Sequence, residues 1–210
     1  SGSLGSPELD DEAVRVAGEL IWSEAPEHRG SMFFDVIAPA PRLILFGAVD
    51  VAAAVSRVAR ATGWRPYVVD PRARFAVPER FPDAIEVIAA WPEEAVARIG
   101  GIDPATYIAV LTHDPKLDDA ALTLALRSPA RFVGAMGSRR AQAKRRERLL
   151  TVGFGDEELE RLSAPLGLDL GAISTEETAL SILAEIVAAR HGRDGGRLAH
   201  ARGRIHEVPA

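Results

Sequence analysis

Along most of the chain, short and uniformly apolar runs alternate with longer segments in which apolar residues recur every three or four positions. A short apolar run bounded by turn residues is typical of a strand buried on both faces of a sheet. Apolar residues spaced by three and four favour an amphipathic helix. Strands that alternate with helices in this way predict right-handed βαβ units and a parallel sheet. The predicted strands are 43–46, 66–70, 84–89, 107–111 and 131–135, and the predicted helices are 51–62, 92–99, 116–127, 138–150, 156–162 and 175–190.

The predicted fold class is α/β, a Rossmann-like parallel sheet of about five or six strands with helices on both faces. This domain is assigned to residues 42–192. Residues 7–41 are predicted to hold a helix over 8–24 and a strand over 32–38. That strand can add to a sheet edge within or between chains, so we expect a homodimer. Residues 1–6 are typical of a cloning remnant, and the Gly- and Arg-rich tail over 193–210 is expected to be flexible.

Composition narrows the classes of function. The 210 residues include no cysteine, and the formal net charge is −5. Disulfides, thiolate metal sites and cysteine nucleophiles are therefore excluded, and a cytoplasmic location is expected. The negative charge argues against binding to nucleic acid or anionic membrane, and no apolar run approaches the roughly 20 residues of a membrane span. The histidines show no metal-ligand spacing, so we expect no simple metal site.

A glycine turn, Gly47-Ala48-Val49, separates the first strand of the sheet from its first helix. A dinucleotide-binding fingerprint belongs at this place, and Gly47 can make its tight turn. The middle glycine of that fingerprint is replaced by Val49, whose branched side chain would stand in the path of a phosphate. Asp70 ends the second strand and can accept hydrogen bonds from a ribose diol. Two interpretations stay open: a dinucleotide site, or a Rossmann scaffold that binds no dinucleotide.

A second glycine turn follows the fifth predicted strand. Gly137 frees the backbone to turn, and Ser138 can cap the next helix, whose first amide groups favour an anion. Arg139 and Arg140 add guanidinium donors for a phosphate or carboxylate. Because ligands of open parallel sheets bind outside the carboxyl ends of the strands, this turn predicts an anion site. The alternative is an ordinary helix cap beside a solvated basic helix.

The sequence Thr112-His113-Asp114 directly follows the fourth predicted strand, at the same edge of the sheet. The imidazole of His113 can transfer a proton or bind an anion. The alternative is a loop whose polar groups satisfy one another. The basic stretch 139–148 could bind nucleic acid, but the acidic charge of the whole chain and the lack of aromatic platforms favour a solvated face, except in the first turn of the helix.

The last polar motif leads into the final helix. Ser174 and Glu177 have the spacing of a capping box. In the preceding loop, predicted over 163–173, glycines flank Asp169 and indicate unusual backbone angles or a close approach. Asp169 and Glu176 can line the cleft opposite the arginines. The alternative is a capped helix that only closes the domain.

Four segments, taken in order, resemble the carboxyl-terminal domain of the XdhC/CoxI family. They are THDPKLD (112–118), VGAMGSRR (133–140), APLGLDLGA (164–172) and TEETALSILAEIVAAR (175–190), and the resemblance covers about residues 32–192. Members of this family are accessory proteins of xanthine dehydrogenase and related molybdenum hydroxylases. The resemblance implies a chaperone without turnover of its own. Such a protein binds molybdenum cofactor (molybdopterin), protects it during sulfuration by a sulfurtransferase, and passes it to the apo-enzyme of a molybdenum hydroxylase.

The chain departs from the family in its first turn, where members commonly have Gly-Ala-Gly. Members also carry an amino-terminal domain with a cysteine-containing motif, and residues 7–41 are interpreted as its remnant. Two alternatives to the chaperone stay open: an NAD(P)-dependent oxidoreductase that uses Asp70 and His113, and a partner-docking Rossmann module without catalysis. No catalytic residue is predicted. The candidate cofactor-binding residues are Gly47, Ala48, Val49, Asp70, Thr112, His113, Asp114, Gly137, Ser138, Arg139, Arg140, Asp169 and Glu176.

Overall fold

The computed structural model describes residues 2–22 and 26–202. They fall into two compact units, Ser1–Pro39 with Arg197–Ala210, and Ala40–Gly196. In the first unit, helix α1 (Pro7–Leu20) begins after Ser6, whose hydroxyl accepts a hydrogen bond from the Leu9 amide. Strands β1 (Glu27–Arg29) and β2 (Met32–Phe34) pair in an antiparallel hairpin.

This unit corrects two predictions. The strand predicted over 32–38 covers only Met32–Phe34, and it pairs with β1 rather than with the parallel sheet. The short β1 was missed because its three residues, Glu-His-Arg, carry no apolar pattern. The helix predicted over 8–24 ends at Leu20. Residues 23–25, and residues 203–210 of the predicted tail, lie outside the described part of the chain.

The second unit contains a six-stranded parallel sheet with the order β5-β4-β3-β6-β7-β8. Numbered from its own first strand, this is the 3-2-1-4-5-6 arrangement of dinucleotide-binding folds, with the topological switch point between β3 and β6. The α/β prediction is confirmed, and five of the six strands were predicted. The strands are β3 (Arg42–Phe46), β4 (Arg65–Val69), β5 (Glu86–Ile88), β6 (Thr106–Val110), β7 (Phe132–Ala135) and β8 (Leu162–Ser163).

Helices cover both faces of the sheet, as predicted. Consecutive residues of a strand point to opposite faces, so Leu43 and Leu45 belong to one buried cluster and Ile44 and Phe46 to the other. Helices α2 and α7 contribute to the first cluster, and α3, α4 and α5 contribute to the second. No helix among the described residues is long and apolar enough to cross a membrane. The helices are α2 (Asp50–Ala61), α3 (Pro92–Arg98), α4 (Pro115–Leu126), α5 (Arg139–Thr151), α6 (Asp156–Glu160) and α7 (Thr175–Arg190).

The register of the sheet aligns the carboxyl ends of its central strands. Phe46 is paired with both Val69 and Val110, and Val110 is paired with Ala135. The turns that follow β3, β4, β6 and β7 therefore start at one level. Every motif singled out after these strands lies along this edge.

Candidate functional site

The glycine turn after β3 is in direct contact with the turn after β6. Gly47 has φ +114°, and a Cβ placed on it would lie 2.9 Å from the amide nitrogen of Thr112. Its own amide donates to the carbonyl of Val69 at 2.8 Å. A side chain at this position would meet both an unfavourable dihedral and a neighbouring backbone. Gly47 therefore makes the predicted tight turn and brings the ends of three strands together.

The start of α2 differs from a pyrophosphate-binding turn in two residues. Val49 has extended backbone angles (φ −104°, ψ 167°) and packs, half-buried, against the core cluster of α2 and α7. The next residue, Asp50, is the first of α2 and accepts a hydrogen bond from Arg80 Nη2 at 2.9 Å. A carboxylate in this first turn competes with a phosphate for the positive end of the helix dipole. Val49 was noticed from the sequence as a departure from the fingerprint, whereas Asp50 was missed.

Asp70 is fully buried, and its carboxylate accepts four hydrogen bonds. Two come from the amides of Ala48 (2.9 Å) and Arg72 (3.0 Å), and two from Arg72 Nε (2.8 Å) and Nη2 (2.7 Å). Burial alone would raise the pKa of Asp70, but these hydrogen bonds, those of the Arg72 side chain first, hold the pKa below its usual value. A ribose diol could reach this carboxylate only after Arg72 had moved.

The turn after β6 is organised by its own polar groups. The hydroxyl of Thr112, a buried residue, accepts a hydrogen bond from the Asp114 amide at 3.0 Å. Asp114 caps α4 and accepts from the Lys116 amide at 2.9 Å. His113, between them, is exposed and has no hydrogen bond to any described residue. Of the three, His113 is the one whose side chain is available to a ligand.

The turn after β7 has the predicted cap. Gly137 has φ +137°, and the Ser138 hydroxyl accepts a hydrogen bond from the Ala141 amide at 3.2 Å. Arg139 and Arg140, the first residues of α5, are exposed. Neither guanidinium forms a hydrogen bond or an ion pair with a described residue. Both can therefore bind an anion.

Further along α5, two arginines form a clamp with α4. Arg145 is buried, and its Nε and Nη2 donate to the two carboxylate oxygens of Asp118 at 2.7 and 2.8 Å. Arg148 donates to Asp119 at 2.8 Å and to Asp118 at 3.2 Å. Arg145 Nη2 also donates to the Met136 carbonyl at 3.2 Å, which ties α5 to the end of β7. The predicted solvated basic face is therefore wrong for Arg145 and Arg148.

An open pocket of about 170 Å³ lies between the turn after β6 and α5. It brings His113 together with Lys144 and Arg148, over the buried pair of Arg145 and Asp118. Lys144 is exposed and has no ion pair with a described residue. Of the thirteen predicted site residues, only His113 lines this pocket. Its lining residues are His113, Pro115, Asp118, Met136, Ala141, Lys144, Arg145 and Arg148.

The loop between β8 and α7 is held against the end of β7. The Leu166 amide donates to the Ala135 carbonyl at 3.0 Å. Glu185 of α7 accepts hydrogen bonds from the Ser163 hydroxyl and the Gly167 amide. Gly167 has φ +115°, and a Cβ on it would lie 2.5 Å from the hydroxyl oxygen of Ser181. The loop has a fixed course, and Glu185 is a positioning residue that no motif of the sequence indicates.

The predicted capping box of α7 is confirmed. The Ser174 hydroxyl accepts from the Glu177 amide at 3.1 Å, and the Glu177 carboxylate accepts from the Ser174 amide at 3.0 Å. Asp169 and Glu176 are exposed and form no hydrogen bond or ion pair with described residues. Neither lines the pocket beside α5, so their predicted place opposite the arginines stays a prediction.

Replacing Glu185 by alanine is expected to lower the free energy of unfolding by about 1–3 kcal/mol, because two half-buried donors, the Ser163 hydroxyl and the Gly167 amide, lose their acceptor. Urea unfolding followed by circular dichroism measures the difference. Glu176→Ala, on the same helix but exposed, is the matched control and should change stability by less than about 0.5 kcal/mol. Equal effects in the two variants would contradict a positioning role for Glu185.

The comparison with protein families decides where this fold belongs. The family described as the XdhC Rossmann domain matches residues 43–186. The chain belongs to this family. The match begins in β3 and ends within α7, so this XdhC domain contains all six strands of the parallel sheet and the pocket beside α5.

Two curated relatives and one solved structure resemble this XdhC domain. A Bacillus subtilis protein named as a probable xanthine dehydrogenase subunit is 32% identical over 160 residues, which are 76% of this chain and 46% of that protein. "Molybdenum cofactor insertion chaperone PaoD" of Escherichia coli is 28% identical over 152 residues, 72% of this chain and 41% of that protein. A crystal structure named as a xanthine dehydrogenase from Bacillus halodurans has a TM-score of 0.65 at 28% identity, covering 85% of this chain and 50% of that one. The chain thus spans about half or less of each of them.

Proposed function

We propose that this XdhC domain binds molybdenum cofactor as cargo and assists its insertion into a xanthine dehydrogenase-type molybdenum hydroxylase. The names of the relatives support this role, since one is named for a xanthine dehydrogenase and another for cofactor insertion. The structural observation that carries it is the pocket in which His113 joins Lys144 and Arg148 at the carboxyl edge of the sheet. Sulfuration by a sulfurtransferase while the cofactor is held, and a cytoplasmic location, belong to the same proposal.

The chemistry of the pocket suits this cargo. The cofactor is a pterin that carries a phosphate and brings its own molybdenum, so the protein needs anion donors rather than metal ligands. Among the described residues no group of three or more His, Asp or Glu side chains could hold a metal ion. Lys144 lines the pocket, and Arg139 and Arg140 start the same helix, all three without ion pairs to described residues. We assign the phosphate to Lys144 and the first turn of α5, and contact with the cargo to His113.

The oxidoreductase alternative is opposed by the first turn of the sheet. Val49 replaces the glycine beside which a pyrophosphate normally lies, and the Asp50 carboxylate repels it. Arg72 occupies the carboxylate of Asp70 that would bind a ribose diol. The domain is proposed to act without turnover of its own.

The test is retention of molybdenum cofactor released anaerobically from a molybdenum hydroxylase, measured by ultrafiltration. Lys144→Ala is expected to weaken binding about tenfold, because a charge-assisted hydrogen bond to the phosphate is lost. Arg146→Ala is the matched control: it also removes one positive charge from α5, but its side chain pairs with Asp156 and lines a different cavity. We expect this control to bind like the wild type.

Two outcomes would count against the proposal. If the wild-type protein retained no cofactor, the pocket would not be its binding site. If Arg146→Ala lost as much affinity as Lys144→Ala, attraction would come from the general charge of α5. A pull-down of a molybdenum hydroxylase apo-enzyme, with and without cofactor, tests the insertion step separately.

A further inference from the structure

In this fold class a dinucleotide binds in a crevice outside the carboxyl ends of the strands. Its ribose is bound by an acidic residue at the end of the second strand, which is β4 here. The chain's own loop after β4 covers this half of the crevice. Arg80, at the far end of this loop, donates from Nη1 to the carbonyls of Ala48 (3.2 Å) and Phe75 (3.0 Å). Its Nη2 donates to Asp50 at 2.9 Å. The glycine turn and the first residue of α2 are thus tied to the loop.

The guanidinium of Arg72, near the start of the same loop, is held by a bidentate ion pair. Its Nε and Nη2 donate to the two oxygens of Asp70, and its guanidinium carbon lies 4.6 Å from the centroid of the Phe75 ring. The two N–H groups of Nη1 have no partner among the described residues, and about a third of the side chain is exposed (36%). The guanidinium is therefore immobilised while one of its nitrogens stays available.

Arg72 follows β4, which lies beside β3 on the side away from β6. Hydrogen bonds to Asp70 and then the attraction of the Asp70 and Asp114 carboxylates raise the pKa of Arg72 above its usual value, against the effect of burial. Asp114 caps α4 on the far side of β3, next to His113. One oxygen of the Asp70 carboxylate accepts from both Arg72 Nη2 and the Ala48 amide, so the guanidinium is linked to the glycine turn through this carboxylate.

We propose that Arg72 determines the specificity of this crevice: it takes the place of a ribose diol on Asp70 and offers Nη1 to a phosphate or pyrophosphate ester. The inference rests on the proposed function and concerns a second anion position, distinct from the one assigned to Lys144 and the first turn of α5. A nucleoside diol has to displace a bidentate, buried ion pair before it can reach Asp70. A phosphate needs no displacement, because guanidinium groups bind phosphate oxygens in the same planar geometry.

Isothermal titration with two simple probes, inorganic pyrophosphate and adenosine, separates the two chemistries. Pyrophosphate carries the anion without a diol, and adenosine carries the diol without an anion. The wild-type protein is expected to bind pyrophosphate and not adenosine. Arg72→Ala should weaken pyrophosphate binding about tenfold, as expected for the loss of a charged donor, and should make adenosine binding measurable. Arg74→Ala, which removes a second arginine from the same Phe75 ring, is the matched control and should resemble the wild type.

The variant leaves Asp70 without its charge partner, so its fold is checked by circular dichroism. If Arg72→Ala does not fold, Arg72→Lys replaces it; lysine keeps the charge but loses the fork, and pyrophosphate binding should fall by a smaller factor. Binding of adenosine to the wild type, no binding of pyrophosphate, or equal losses in the Arg72 and Arg74 variants would overturn the inference. Cofactor retention by the wild type, measured in parallel, shows separately whether the proposed function holds.

Discussion

Replacing Asp118 by alanine is expected to lower the free energy of unfolding by about 3–5 kcal/mol, the usual cost of removing one partner of a buried ion pair. Both side chains of the pair are only 5% exposed, and Arg145 donates to Asp118 through two nitrogens. Without the carboxylate, Arg145 would be a buried cation with only Met136 and Gln142 oxygens as acceptors. The higher helix propensity of alanine offsets well under 1 kcal/mol of this loss.

Asp119→Ala is the control for this prediction. Asp119 is the next residue of α4 and pairs only with Arg148, in a half-exposed position where an ion pair contributes about 0–1 kcal/mol. Urea unfolding measures the free energy of unfolding of both variants. Because each variant loses one carboxylate, the difference between them gives the contribution of burial. A loss of less than about 1 kcal/mol for Asp118→Ala would mean that the clamp does not fix α5 against α4. The pocket beside α5 would then lack a rigid floor.

The periodic part of the fold could be predicted because its strands are apolar runs bounded by turn residues. β3 and β6 lie in the middle of the sheet, so nearly all of their residues are buried. β8 could not be predicted, because its two residues, Leu162 and Ser163, have no pattern of their own and pair only through the register of β7. The same reason applies to β1, whose residues carry no apolar pattern, so its pairing with β2 could not be predicted.

Local chemistry could likewise be predicted, and pairing between distant residues could not. The caps at Ser138 and Ser174 depend on residues three positions away, which the sequence displays directly. The clamp joins Asp118 to Arg145, 27 residues apart, and depends on how α4 and α5 pack. Asp70 and Arg72 are only two residues apart, but no motif of the sequence shows that the Arg72 side chain turns back onto the Asp70 carboxylate.

The charges along the sheet edge now divide into two groups. Arg72, Arg80, Arg145 and Arg148 are bound by carboxylates of the chain itself and shape the edge. Arg139, Arg140 and Lys144 have no such partner among the described residues. Only the second group is wholly free to neutralise a ligand, which is why the binding test uses Lys144.

Gly47→Ala is expected to be the most damaging single substitution at this edge, because it strains both turns at once. The positive φ of +114° costs about 1–3 kcal/mol for a residue with a side chain. The added Cβ would lie 2.9 Å from the Thr112 amide nitrogen, and relieving that overlap costs a similar amount again. Any relief moves Thr112 and with it His113, so cofactor retention should fall along with stability.

Gly63→Ala separates the cost of the positive φ from the cost of the steric overlap. Gly63 also has a positive φ, +83°, but a Cβ there would have no heavy atom within 4 Å. The free energy of unfolding of this variant should therefore fall only by the cost of the dihedral, about 1–3 kcal/mol, and cofactor retention should be unchanged. Urea unfolding and ultrafiltration are run on both variants. Equal losses of stability would mean that the turns after β3 and β6 are not in tight contact, and unchanged retention in Gly47→Ala would place the bound cofactor away from the turn that carries His113.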